Sequence, residues 1–152
     1  MKKKIISDTD LRNIKNFKKP IVFVPMAADI IHHGHIRILK KAYNYGTTIV
    51  GLMTDSGIKT YKKPPILSFK ERKEIIMSIK YVDYIVPLHG LIYFEIAKKL
   101  ELDYFVHGSD WKNGPQKIAR QQLIKLSKKI GMKVIDVPYT KNISSSVIKK
   151  KL

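Results

Sequence analysis

A short apolar run that breaks off into paired imidazoles constrains this chain more than any other stretch. Ile21–Val24 reads as a buried strand. It continues through Pro25-Met26-Ala27-Ala28-Asp29-Ile30-Ile31 and reaches His32-His33-Gly34-His35, an H-x-G-H spacing where a helix should begin. A strand-to-helix junction sets polar side chains and free helix amides at the carboxyl edge of a sheet. In open α/β folds ligands bind at that edge, and helix amides favour phosphate groups there. The first expectation is therefore a site for phosphoryl or nucleotidyl transfer.

The rest of the chain repeats the alternation. Helical spacing puts Ile36, Leu39 and Tyr43 on one face, and Gly46 supplies the stop. Thr47–Met53 is a second strand rich in β-branched residues. The basic loop Lys59-Thr60-Tyr61-Lys62-Lys63-Pro64-Pro65 follows, and Ser68-Phe69-Lys70-Glu71 forms a capping box for a helix turning Ile75, Ile76 and Ile79 inward. Val82–Val86, Tyr104–His107 and Lys133–Val137 give three more strands, with helices around residues 92–100 and from Gly114-Pro115 to Gly131. The inner stripe of the latter is Ala119, Leu123, Leu126 and Ile130, and Ser144-Ser145-Ser146 opens a last short helix. Five strands alternating with five helices predict a single α/β domain with a Rossmann-like, doubly wound, five-stranded parallel sheet. Residues 1–19 read as a basic N-terminal extension and residues 20–152 as the domain itself.

Composition narrows the chemistry. With no cysteine, disulfides, thiolate nucleophiles and thiolate metal sites are excluded. No apolar run approaches the ~20 residues of a membrane span, and the N-terminus lacks the apolar core of a signal peptide, so the expected location is the cytoplasm. The net charge of +18 attracts polyanions. Its lysines are spread along the whole chain, however, and the aromatic-interleaved patch of a single-strand binder is missing. Nucleic acid is thus not the expected partner.

Four constellations carry the candidate site. His32 and His35, joined by Gly34, can both face one phosphate and stabilise growing charge. Zinc ligation is the rival reading, and it lacks a third ligand at suitable spacing, since His89 and His107 lie elsewhere. Lys59, Lys62 and Lys63 form a loop able to fold over a triphosphate and offset the charge of leaving pyrophosphate. Gly108-Ser109-Asp110-Trp111 ends the fourth strand, where Asp110 faces the ligand crevice and Trp111, the only tryptophan, suits either the core or the ligand. The hydroxyls of Ser144–Ser146 can cap a helix and face an anion together. Asp29 suits either Mg²⁺ binding or the orientation of a neighbouring backbone.

In this order the motifs resemble the cytidylyltransferase branch of the HxGH nucleotidylyltransferases, over nearly all of residues 20–150. Met26 to His35 is similar to the family's strand–loop–helix signature. Val50-Gly51-Leu52-Met53-Thr54-Asp55, the lysine loop and Ser68-Phe69-Lys70-Glu71-Arg72-Lys73 are similar to its second segment. Val106-His107-Gly108-Ser109-Asp110-Trp111 resembles its G-D-D-W element, and Ile143-Ser144-Ser145-Ser146 its terminal I-S-[ST]-[ST] element. The resemblance implies that His32 and His35 contact the nucleotide phosphates, with Lys59 and Lys62 assisting catalysis. It implies a nucleotide-binding surface of Met26, Ala27, Ala28, Gly34, Lys63, Gly108, Asp110, Trp111, Ile143, Ser144, Ser145 and Ser146.

Within that branch the likeness is to cytidylyltransferases linked to phosphoenolpyruvate mutase and phosphonate assembly. Pro138-Tyr139-Thr140 stands where glycerol-phosphate enzymes carry an arginine before the threonine, and Lys80-Tyr81-Val82-Asp83 replaces their R-Y-V-D. Ser109 and Asn142 depart from the phosphonate branch as well. The implied reaction is transfer of CMP from CTP, with Mg²⁺, to 2-aminoethylphosphonate, 2-hydroxyethylphosphonate or a similar acceptor, releasing pyrophosphate. Relatives of this kind imply a homodimer. The alternatives are transfer to glycerol 3-phosphate or another phospho-alcohol, adenylyl transfer to a flavin or pantetheine phosphate, and a basic nucleic-acid-binding module without activity.

Overall fold

The computed structural model describes residues 17–152 and the backbone of Lys4–Ile5. Most of the predicted basic extension, residues 1–3 and 6–16, lies outside the described residues. Strands are β1 (Lys4–Ile5), β2 (Ile21–Met26), β3 (Thr47–Met53), β4 (Tyr84–Leu88), β5 (Tyr104–Gly108) and β6 (Lys133–Val137). Helices are α1 (His33–Tyr43), α2 (Asp55–Lys59), α3 (Phe69–Met77), α4 (Tyr93–Leu100), α5 (Lys117–Ile130) and α6 (Ser145–Lys150). The sheet runs β1-β4-β3-β2-β5-β6 and every pairing is parallel. The five predicted strands form this sheet, and the two-residue β1 adds an unpredicted sixth at its edge.

Strand alternation builds two cores. Ile21 and Phe23 of β2 face one side with Ile49, Phe105, Leu100 and Leu123, while Val22, Val24 and Met26 face the other with Leu39, Ala42, Val50 and Ile76. The strand order reverses between β2 and β5, whose carboxyl ends therefore flank the crevice of a doubly wound sheet. No helix among the described residues is long and apolar enough to cross a membrane.

Several local expectations shift. The third predicted strand starts at Tyr84 rather than Val82, because Asp83 already occupies the ladder: its carboxylate accepts the Thr48 amide at 2.9 Å and its own amide donates to the Thr48 carbonyl. On α1 the buried stripe is Leu39 and Ala42, while Tyr43 is 45% exposed. On α3 it is Arg72 and Ile76, with Ile75 outside, and on α5 Ile130 is exposed. Gln116 belongs to a short 3-10 turn, Gly114–Gln116, that precedes α5.

Gly46 is fixed by contact. A Cβ there would lie 2.2 Å from the Pro20 carbonyl oxygen, the group that accepts the Thr47 amide at the start of the β2–β3 ladder. Gly46→Ala must push these strands apart and is expected to cost roughly 1–3 kcal/mol, as overpacking does. Urea unfolding of the two proteins checks this; an unchanged midpoint would contradict it.

Candidate functional site

The site is assembled at the ends of β2 and β5. Beyond β2 the chain turns through Ala28 in the left-handed region (φ 56°) and brings Asp29 inward, 2% exposed. The Asp29 carboxylate accepts the amides of Ile66 (3.0 Å) and Leu67 (2.9 Å) and pairs with the Lys149 ammonium. One acid thus ties the H-x-G-H loop to the segment after the lysine loop and to α6. The two amide bonds and Lys149 hold its carboxyl below the usual range against the upward pull of burial. Of its two candidate roles, these contacts match backbone orientation rather than metal binding.

The histidines cap their own helix. His32 Nδ1 accepts the Gly34 amide (3.1 Å), and His35 Nδ1 accepts the His32 amide (3.3 Å), a reciprocal capping box made of imidazoles. The rings sit 4.0 Å apart. Because each Nδ1 is an acceptor, each neutral ring carries its proton on Nε2, the nitrogen left for a ligand. Burial, reinforced by His32 and Lys62, lowers the His35 pKa to about 4; burial and His33 lower that of His32. Gly34 is explained differently from the expectation that it opens the backbone to a ligand. A Cβ there would meet the His32 ring at 2.8 Å, so glycine makes room for the cap.

The His35 shift fixes a sign. A base whose pKa falls from 6.5 to about 4 on folding leaves the unfolded chain holding more protons between those values. Stability is then full above pH 6.5 and declines as pH falls toward 4, by at most about 3 kcal/mol. Melting temperature should drop between pH 7 and 5, and His35→Gln should flatten that slope.

A cavity of about 210 Å³ lies over the histidines, lined by His32, Gly34, His35, Ile38, Lys62, Gly108, Asp110, Pro138, Tyr139, Thr140 and Ile143 to Ser146. A second, of about 130 Å³, adjoins it and is lined by Val24 to Ala28, Met53, Tyr61, Tyr93, His107 and Gln116. Both share His35, Ile38, Lys62, Gly108, Asp110 and Ser145. Of the predicted lysines only Lys62 lines these cavities; its side chain is exposed like the other two, yet partial desolvation of its ammonium, with Lys149 nearby, lowers its pKa. Lys59, on α2, and Lys63 are exposed and line neither cavity.

Trp111 lines neither cavity. It is 1% exposed, stacks flat on His107 (4.3 Å) and Phe105 (5.6 Å), and donates to Asp136 at 2.5 Å. Of its two readings, the core one holds. The serines divide their work: Ser144 caps α6 by accepting the Val147 amide (3.0 Å), while Ser145 donates to the Ile30 carbonyl (3.2 Å). Both sequence departures have local reasons. Ser109 accepts the Tyr139 amide at 3.0 Å, and Asn142 adopts φ 61°, a conformation asparagine tolerates in place of glycine. Sequence reasoning missed Lys149, Tyr93, Gln116 and the buried Arg72. Only Arg72 left a trace, as a cation on the inward face of α3.

No group of three His, Asp or Glu side chains suited to a metal occurs among the described residues. With Asp29 engaged, Asp110 is the one carboxylate lining the cavities. Among the described residues nothing makes a resident metal cage.

The chain is similar to several known proteins. Bifunctional protein HldE of Helicobacter acinonychis is 38% identical over 112 residues, 71% of this chain and 24% of that protein. The chain thus spans about a quarter of the HldE proteins it matches. Glycerol-3-phosphate cytidylyltransferase of Staphylococcus aureus is 36% identical over 55% of this chain and 65% of its own. Ethanolamine-phosphate cytidylyltransferase of Mus musculus is 37% identical over 54% of this chain and 21% of its own. A lipopolysaccharide core biosynthesis protein from Thermoplasma volcanium superposes with a TM-score of 0.64 at 26% identity, covering 81% of this chain and 98% of that one. The family described as cytidylyltransferase-like matches residues 27–151. Covering most of the chain and all of the cavity-lining residues from Ala27 onward, that match makes this protein a member of the cytidylyltransferase-like family.

Proposed function

We propose that the protein transfers CMP from CTP to a small phosphonate or phosphate acceptor, with release of pyrophosphate. One observation carries the reading: two adjoining cavities meet at His35, Lys62, Gly108 and Asp110, on the carboxyl edge of the sheet. Two reactants held there would face each other across the imidazoles. In the larger cavity, His32 and His35 offer Nε2–H groups to the nucleotide phosphates, with Lys62 beside them and the serines of α6 opposite. Catalysis is then positioning plus charge stabilisation, with no protein nucleophile. Mg²⁺ would travel with the triphosphate and water, as this hard cation commonly does. The smaller cavity sets the acceptor's size, well below the 300–1,000 Å³ of drug-sized sites.

The phosphonate acceptor is supported by the sequence resemblance, the missing arginine before Thr140 in particular. Glycerol 3-phosphate is the second reading, favoured by the Staphylococcus aureus relative. Incubation with each of four nucleotides and a panel of phosphonates and phospho-alcohols, followed by pyrophosphate release, tests both. CTP-dependent release with a small acceptor is expected. Release with ATP alone, or salt-sensitive retention of RNA or DNA without release, would overturn the reading. A cytoplasmic homodimer and a basic extension over residues 1–19 belong to the same proposal, and sedimentation of the full chain tests the dimer.

A further inference from the structure

The last helix rests on few contacts. α6 has six residues, well short of the ~12–15 that an isolated helix needs in water, so tertiary contacts must hold it. None of its residues is buried, and Val147 is 38% exposed. Among the described residues, two polar contacts tie its side chains to the rest of the domain. The Ser145 hydroxyl donates to the Ile30 carbonyl at 3.2 Å, and the Lys149 ammonium pairs with Asp29. Ser145 and Lys149 are four residues apart and share one helix face, which sits on the Asp29-Ile30 step before the histidines.

The two anchors are unequal. The serine bond joins neutral groups. The lysine meets a nearly buried carboxylate already fixed by the Ile66 and Leu67 amides, and stripping such an acid of its cation is costly. What this face positions is one wall of the larger cavity, Ile143 to Ser146. Lys149 itself lines neither cavity. It also leaves Lys62 uncommitted: Asp29 attracts Lys62 and Lys149 repels it, and Lys62 joins no ion pair among the described residues. With Asp29 satisfied by Lys149, the charge of Lys62 is left for an anion in the cavity.

Resting on the reaction proposed above, we propose that Lys149 is a positioning residue: by seating α6 on Asp29 it holds the serine wall in the arrangement that binds the nucleotide phosphates, without touching them. Without Lys149 the helix is seated only part of the time, and apparent affinity falls with the seated fraction. Saturating nucleotide draws the wall back into place. The loss therefore falls on KM for CTP and spares kcat.

Steady-state pyrophosphate release with varied CTP tests this. Lys149→Met should raise KM for CTP roughly tenfold, with kcat and the acceptor KM held within about twofold, the scale of coupled contacts. Lys149→Arg, which keeps the charge and the reach, should restore most of the loss. Lys150→Met, one residue along on the exposed side, should leave both constants unchanged. In the Asp29→Asn background, Lys149→Met should add less than about twofold, because the pair is already broken. Amide exchange over residues 143–152 supplies a readout independent of turnover: protection of that segment should fall in Lys149→Met and return with CTP. An unchanged KM for CTP, a loss confined to kcat, full additivity with Asp29→Asn, or unaltered exchange overturns the inference and leaves the proposed reaction standing. Absence of CTP-dependent release from the unsubstituted protein overturns the reaction and this inference with it.

Discussion

Replacing His35 by alanine is expected to lower turnover by roughly 10²–10³, about 3–4 kcal/mol, the loss seen when one preorganised donor is removed from charge developing in a transition state. The ring sits at the seam of the two cavities, and the His32 amide fixes its Nδ1 as an acceptor. Its remaining Nε2–H is then available without reorganisation. Removing it leaves the His32 amide without its capping acceptor, a loss of about 1 kcal/mol that the domain should survive. Steady-state pyrophosphate release, with circular dichroism for the fold, separates the two effects. His33, exposed and lining neither cavity, provides the control. Near-normal turnover of His35→Ala would remove this residue from the chemistry.

Arg72→Ala is expected to be the most destabilising single change, by about 3–5 kcal/mol. The guanidinium is fully buried, with 0% exposure, and each of its nitrogens is used. Nη1 donates to the carbonyls of Ala27 and Met53, both at 2.6 Å, Nε to the Leu67 carbonyl at 3.0 Å, and Nη2 to Asp55 at 2.6 Å. Two of these acceptors lie at the ends of β2 and β3, and the third precedes α3, so one planar cation gathers the crevice's rim. Truncation strands three carbonyls and a desolvated space. Arg72→Lys should restore only part of the loss, because one ammonium cannot span that fork. Urea midpoints and melting temperatures measure both variants; a loss under 1 kcal/mol for the alanine variant would refute the account.

Much of the fold was legible because periodicity reports burial directly. Ile21–Val24 and Thr47–Met53 read as strands and are buried nearly throughout. The capping box at Ser68 and Glu71 formed as written, with Ser68 accepting the Glu71 amide. The histidine pair was legible as the strand-to-helix bend it forms, but its capping role was not recognised. His32 and His35 stand at the N-cap and third helical positions, which serine and glutamate usually fill. Boundaries moved where one side chain competed with the backbone, as Asp83 does before β4. Arg72, Lys149 and Gln116 were missed for a common reason. Each acts on groups far away in sequence, and a lone polar side chain does not reveal which distant segment the topology brings to it. Lys59, Lys62 and Lys63 looked equivalent in a basic loop, and the turn out of α2 selected Lys62.

The flat packing of Trp111 on His107 has a practical corollary. This indole is the chain's sole tryptophan, so its emission comes from a single ring separated from the smaller cavity by one imidazole. Occupancy of that chamber, or a proton arriving on the imidazole, should register as a change in fluorescence intensity. The fold therefore carries its own unlabelled optical reporter, read in real time during a titration.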